Sequence, residues 1–260
     1  MTKQRWKLTI EYDGVPYAGW QRQKSGIATV QQAIEAAIYS FCQQDLRLLV
    51  AGRTDSGVHA FGQVAHLDLD YGERQLSGFE LTKALNAHLR EHPITIVAAE
   101  PVSFDFHARF KAVNKQYMYR IINRSAPPAI EAGRMWNCKR ELDIDVMQKA
   151  ADQLIGHHDF TSFRDSECQA RSPVRTLDRL DVYSFDYDQF GGRDIRIYAE
   201  SRSFLHHQIR AFAGTLQMAG EGKITPGDVA DMLEARDRRV AGPNAPAHGL
   251  YLMRVDYSSF

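Results

Sequence analysis

Cysteine is scarce in this chain of 260 residues: only Cys42, Cys138 and Cys168 occur, far apart. An odd number at wide spacing builds neither a disulfide framework nor a zinc knuckle. Cys42 falls in an apolar helical pattern and reads as a small buried hydrophobe. Long apolar runs are missing as well, and none reaches the roughly 18–20 residues that a membrane-crossing helix needs. The start, Met1-Thr2-Lys3-Gln4-Arg5-Trp6, has no apolar leader core and runs straight into a strand pattern. The expectation is a cytoplasmic protein with no membrane partner. Net charge is absent too, with 32 Lys plus Arg against 32 Asp plus Glu. That balance counts mildly against nucleic-acid binding, which usually shows a basic excess.

The distribution of charge says more than its sum. Phe106 to Arg124 holds Arg109, Lys111, Lys115, Arg120 and Arg124 and no acid. Ser201 to Gly220 holds Arg202, His206, His207 and Arg210, again with no acid. Acids gather elsewhere, as in Glu141-Leu142-Asp143-Ile144-Asp145. A neutral chain with segregated charge can still present a positive groove to phosphates.

Periodicity lays out the elements. Arg5 to Tyr12 alternates as a strand, with Trp6, Leu8, Ile10 and Tyr12 on one face. Thr29 and Gln32 form a capping-box pattern ahead of a helical stripe from Val30 to Phe41. Leu46–Ala51 and Gln63–Asp70 read as strands, Ser77–Leu89 as a helix and Ile94–Glu100 as a strand. The order βαββαβ is that of the ferredoxin-like unit. The second half repeats it loosely. Strands are expected at Tyr117–Asn123, Leu177–Phe185, Asp194–Ser201 and Leu250–Val255, and helices at Asp145–Ile155, Leu205–Ala219 and Thr225–Ala235. The fold class is therefore α/β (α+β), with two RRM-like subdomains, 1–110 and 111–260.

The chemistry concentrates in Ala51-Gly52-Arg53-Thr54-Asp55-Ser56-Gly57-Val58-His59-Ala60. Two apolar runs flank a tight polar turn that lifts Asp55 onto a tip, with Arg53 two residues away. Reactive groups are often held so, on a short loop braced by rigid strands; an ordinary Asp-Gly hairpin turn is the plainer reading. Tyr117 and Tyr119 share one face of a strand by period two, and a ring there could stack on a base or simply fill the core. For Tyr119 the core is the preferred place. Arg210 lies on a mostly apolar helix face, where a cation is expensive to bury unless paired. Asp55-Ser56-Gly57-Val58-His59 also suggests the aspartate motif of subtilisin-like proteases, but neither a serine in a Gly-x-Ser context nor a separate histidine motif follows. His157, His158, His206 and His207 could build a metal site. Adjacent histidines on regular structure point apart, however, and no H-E-x-x-H occurs. A purely RNA-binding module would account for the basic, aromatic strand near Tyr117, though not for a carboxylate set beside Arg53.

Gly52 to Ala60 resembles the G-R-T-D-x-G-V-H-A signature of tRNA pseudouridine synthases of the A type. Glu11-Tyr12-Asp13-Gly14, Gly19-Trp20-Gln21-Arg22-Gln23, Asp105-Phe106-His107-Ala108-Arg109-Phe110, Tyr117-Met118-Tyr119, Asp159-Phe160-Thr161-Ser162-Phe163-Arg164 and Ile209-Arg210 agree with that family, in its order. Ser56 departs from it, standing where alanine is common. The resemblance implies two α/β subdomains with a cleft across their junction. It implies Asp55 as the catalytic aspartate, Tyr117 as the active-site tyrosine and Arg210 as the partner of that aspartate. It places Leu205 in an apolar wall and Arg53 near a flipped base. His59 and Gln63 would orient the loop on the substrate side, where Phe106, His107 and Arg109 would line the RNA, although Phe106 and Phe110 could equally be core. It further implies tRNA as substrate, modified in the anticodon stem-loop at positions about 38 to 40, a homodimer with tRNA across both subunits, and neither cofactor nor catalytic metal. Whether the carboxylate attacks the sugar C1′ or the uracil C6 stays open.

Overall fold

In the computed structural model, which describes residues 3–24, 26–72 and 76–258, the chain divides into two units. One comprises Met1–Val113 with Leu252–Phe260, the other Asn114–Tyr251. Met1 and Thr2 of the leader reading lie outside the described residues.

The first unit runs β1 (Lys3–Tyr12), α1 (Val30–Cys42), β2 (Leu49–Val50), β3 (His59–Asp70), α2 (Gly78–His88) and β4 (Ile94–Val102). This is the βαββαβ order that the two periodicities dictate. β1 lies antiparallel between β3 and β4, with Leu8 opposite Ala65 and Ala99. Its alternation sends Trp6, Leu8, Ile10 and Tyr12 inward. Val30, Ile34, Ala37 and Ile38 of α1, with Leu81 and Leu85 of α2, are buried. Each fully buried aliphatic side chain contributes roughly 1.5–3 kcal/mol. The cap of α1 differs from expectation. The Thr29 hydroxyl accepts the Gln32 N–H, but Gln32 Oε1 has no partner, so the box is only half closed. Ser77 and Glu80 close a complete one on α2. β3 begins at His59, earlier than Gln63, which shortens the Asp55 loop.

The second unit is built on β5 (Ala112–Asn123). β6 (Trp136–Cys138) pairs with it in parallel, followed by α3 (Ile144–Asp152) and the two-stranded sheet of β7 (Gly156–Asp159) and β8 (Val174–Leu177). Then come β9 (Arg179–Asp186), β10 (Arg193–Ser201), α4 (Gln208–Gly220) and α5 (Pro226–Ala235). β10 lies antiparallel between β5 and β9. The expected strand Leu177–Phe185 is broken at Asp178, whose N–H donates to the Glu200 carbonyl. Phe160 meets Phe163 and Phe212 edge to face at 6.4 and 5.6 Å, Phe163 and Phe212 lie tilted at 5.1 Å, and all three are fully buried. They account for the Asp159–Arg164 motif as core. The last strand, β11 (Leu250–Tyr257), returns to the first unit from Leu252 onward and lies beside β3.

Candidate active site

Between β2 and β3 the chain makes a turn closed by the Val58 N–H on the Asp55 carbonyl, at 3.2 Å. Gly57 takes φ 79, which a side chain would resist. Asp55 is half-buried and Arg53 exposed, while Thr54 between them is buried. The residues on either side of the turn are fixed. Thr54 Oγ1 shares a 2.7 Å hydrogen bond with Tyr12 Oη, and its carbonyl accepts the Trp20 N–H at 3.0 Å. Gln63, fully buried, donates from Nε2 to the Gly52 carbonyl at 2.9 Å. The Ser56 hydroxyl donates to the Tyr17 carbonyl at 3.1 Å. His59 Nδ1 lies 3.2 Å from the Gly14 amide and 3.2 Å from Asp13 Oδ1.

The two glycine motifs upstream are the ledge under this turn, a role their spacing did not disclose. A side-chain carbon on Gly14 would stand 2.0 Å from the Val58 carbonyl oxygen. From Gly19 and Trp20 the chain passes to Arg22, which donates to Glu35 at 3.1 Å. Glu35 is 5% exposed and also accepts from Gln31 and from the Leu48 N–H. The glycines let the backbone approach closely, and the buried carboxylate ties α1 to the segment entering β2. His59 and Gln63 are thus positioning groups inside the protein wall.

In the first unit, Asp105 to Phe110 packs across the sheet face opposite the helices. Phe106 is 2% exposed and belongs to a cluster with Ala51, Val64 and Ala108. Its ring supports this segment and offers no face to a substrate. His107 Nδ1 accepts the Arg109 and Phe110 N–H groups and so holds the turn. Burial, then Arg5, pulls the His107 imidazole below its usual value. Arg109 is exposed and stands 5.8 Å over the exposed ring of Phe110. This pair presents a cation and a π-face to the outside.

The second unit carries the remaining candidates. Tyr117, on β5 opposite Ala199, is 8% exposed and meets Phe204 edge to face at 5.3 Å. Tyr119 is wholly buried, and its hydroxyl donates to the Pro246 carbonyl at 2.7 Å. Burial drives its phenol well above the usual range, Cys138 adds to this, and Arg210 opposes it. α4 starts at Gln208, later than the expected Leu205, because His207 takes the left-handed φ of 60. Leu205 therefore lies in the approach to the helix, 4% exposed, its N–H donated to Gln208 Oε1. Arg210 sits half-buried in the first turn, where the helix dipole disfavours a cation and no side chain caps the end. Arg210 Nε donates to the Ala245 carbonyl at 2.7 Å, and the Ala245 N–H donates back to the Arg210 carbonyl. A local arrangement that costs stability marks a charge kept for a purpose.

The segment Gly242 to Gly249 was not singled out in the sequence, although its Gly-Pro-Asn-Ala-Pro composition signals an ordered turn. It serves both Arg210 and Tyr119. Gly214 and Gly242 let it lie against α4, since a side-chain carbon on Gly214 would overlap the Pro243 carbonyl oxygen. His206 and His207 also depart from expectation. Their rings stack at 3.9 Å, because the turn before α4 is not regular structure, and both face Asp165. His157 and His158 bond separately, to Thr176 and to the Ile155 carbonyl. Two cations of the basic run are structural as well. Arg120 pairs with Asp194 and Glu131, and Arg124 with Asp188. β5 turns Arg120 to the face opposite Tyr117 and Tyr119, where acids meet it.

A carboxylate on a braced turn in one unit and a half-buried arginine in the other are groups suited to catalysis. The comparisons with known proteins specify the reaction. The sequence profile of the tRNA pseudouridine synthase family matches residues 8–111 and 150–258. The chain belongs to this family, whose members are isomerases converting uridine to pseudouridine. The Rhodospirillum centenum protein named tRNA pseudouridine synthase A is 51% identical over 254 residues, 98% of this chain and 100% of that one. Its namesake from Allorhizobium ampelinum is 54% identical over 255 residues, covering 97% and 95% of the two chains. The Rhizobium meliloti protein of the same name is 52% identical, covering 97% and 99%.

Proposed function

We propose that this enzyme modifies the anticodon stem-loop of tRNA, at positions about 38 to 40, as the A-type resemblance implies. Asp55 is the catalytic carboxylate, Tyr117 the ring that holds the detached uracil, and Arg210 the cation serving the carboxylate. Leu205 forms part of the apolar wall. Arg53 and Arg109 engage the RNA. His59, Gln63, Phe106 and His107 act on substrate only through the backbone they hold. The protein works in the cytoplasm as a homodimer, with no cofactor and no metal.

The observation that carries this reading is the bracing of the Asp55 turn. Tyr12, Gly14, Gly19, Gln63 and His59 hold its backbone from several directions, and Asp55 itself is half-buried. Breaking the C1′–N1 bond and remaking it at C5 needs a carboxylate fixed against one face of the sugar or base. The test is to incubate the purified protein with unmodified tRNA transcripts and map pseudouridine by base-resolved chemistry. Conversion confined to the anticodon stem-loop is expected. Conversion elsewhere, or none, contradicts the assignment. Sedimentation of the protein with and without tRNA tests the dimer.

A further inference from the structure

Isomerisation leaves one proton to be moved, and no residue so far assigned moves it. Uridine carries hydrogen on C5 and none on N1; pseudouridine carries it on N1 and none on C5. When C5 has taken the ribose, the ring holds a C5–H bond and an N1=C6 double bond. The C5–H bond must then break. Its electron pair forms the C5=C6 double bond, the N1=C6 pair moves to N1, and N1 gains a proton. A group that accepts one proton and returns one near neutral pH suits this step, and imidazole is the side chain made for it.

We propose that His207 is this group. The inference rests on the reading under Proposed function and extends it to the last chemical step. Asp165 Oδ2 lies 2.7 Å from His207 Nδ1. Burial alone would raise the Asp165 carboxyl, but the Glu167 N–H and the His207 hydrogen bond reverse this and hold it below the usual carboxylate range. An ionised carboxylate at Nδ1 fixes the proton there, so exchange with a substrate runs through Nε2. This is the logic of an aspartate–histidine dyad, in which the acid sets the tautomer and aim of the base. Asn244 Nδ2, itself a donor, comes only to 3.4 Å of Nδ1, so the 2.7 Å Asp165 contact decides where the proton sits.

The backbone supports the same conclusion. His207 is one of the few residues other than glycine with positive φ, at 60. Such a conformation costs free energy and persists only where its surroundings over-determine it. Here they do. Asp165 N–H donates to the His206 carbonyl at 3.2 Å, and Ala211 N–H to the His207 carbonyl at 2.9 Å. Gln208 both donates to and accepts from Leu205. The His206 ring stacks on His207 at 3.9 Å and 28°. The side chain is 20% exposed, enough to exchange a proton. It stands one helical turn before Arg210 and beside Leu205, the stretch that the resemblance places at the reacting uracil. His206 Nδ1 lies 3.7 Å from Asp165 Oδ1, against 2.7 Å for His207 Nδ1 to Oδ2, and its stacked ring holds its neighbour.

The test uses the full-length protein and its His207→Gln and Asp165→Asn variants under single-turnover conditions. Three anticodon stem-loop RNAs carry uridine, 5-deuterouridine or 5-fluorouridine at the target. With uridine, His207→Gln is expected to slow product formation by about 10²–10⁴-fold, with RNA affinity unchanged. Deuterium at C5 should slow this variant further than it slows the native protein. The fluorinated base has no C5 proton to lose, so native and variant should rearrange it at similar rates. Asp165→Asn should show the same C5 signature with a smaller loss. An equal loss on the fluorinated RNA, no added deuterium effect, or a native rate in His207→Gln overturns the proposal. Native protein that forms no pseudouridine overturns the underlying function, and the inference with it.

Discussion

Gly19 meets Thr54 backbone to backbone. A side-chain carbon on Gly19 would stand 2.7 Å from the Thr54 carbonyl oxygen, and its φ of +92 lies in the left-handed region. The Asp55 carbonyl carbon lies 3.1 Å from the same position, so Gly19→Ala presses on the backbone that carries the carboxylate. The atoms in the way are main chain, which cannot swing aside. The substitution should cost about 1–3 kcal/mol by overpacking and slow single-turnover conversion about 10²-fold through a displaced carboxylate. Urea unfolding and rapid-quench kinetics on the same variant separate the two effects. Unchanged kinetics would show that the ledge does not set the loop.

Arginines of one basic run should behave in opposite ways. Arg120→Ala removes one of the two arginines on Asp194, which is 4% exposed, and leaves Arg196 in place, so the loss should be about 1.5–3 kcal/mol, that of a hydrogen bond to a charged group. Arg109→Ala should leave stability alone, weaken tRNA binding and flatten its salt dependence by about one phosphate contact. Denaturant melts and filter binding across a salt series provide both readings.

Much of the first unit was legible because its strands alternate and its helices carry apolar stripes at the helical spacing. The second unit was less so. β6 and the β7–β8 pair are too short for periodicity to register, and the start of α4 depends on the left-handed turn at His207, which no propensity announces. The Asp55 turn was readable from its glycines and its motif. Burial was not: Gln63 looks like a substrate group in the sequence and Phe106 could be lining or core, and both lie inside the protein. Whether a polar or aromatic residue faces a substrate or a neighbouring strand depends on contacts made far along the chain. That is also why Gly14 and Gly19 gave no sign of their load.

His66 gives the fold a pH dependence. It is buried on β3, and its Nδ1 accepts the Ala108 N–H at 3.2 Å. Burial, then His107 and Arg5, push its imidazole down to about 4, with Asp68 opposing. The unfolded chain takes up that proton near 6.5, so it binds more protons than the folded chain between about 6.5 and 4. Stability from this group is therefore full above pH 6.5 and lost as pH falls toward 4, by up to about 3 kcal/mol. His66→Gln should flatten the curve over that window. Parallel curves for variant and native protein would contradict this.

Arg210→Lys keeps the charge and loses the Nε donor to Ala245. Conversion should fall between that of the native protein and of Arg210→Ala, with tRNA affinity little changed. An effect confined to affinity would make Arg210 a backbone contact to RNA.

Single-turnover pseudouridine formation by Asp55→Asn, with tRNA affinity measured alongside, tests the catalytic assignment most directly. The substitution keeps shape and removes the charge. The turn is held by backbone contacts of Gly52, Thr54 and Val58, so the variant should fold and bind tRNA within a few-fold of the native protein. It should form no detectable pseudouridine. Conversion at a substantial fraction of the native rate would contradict a catalytic role for Asp55.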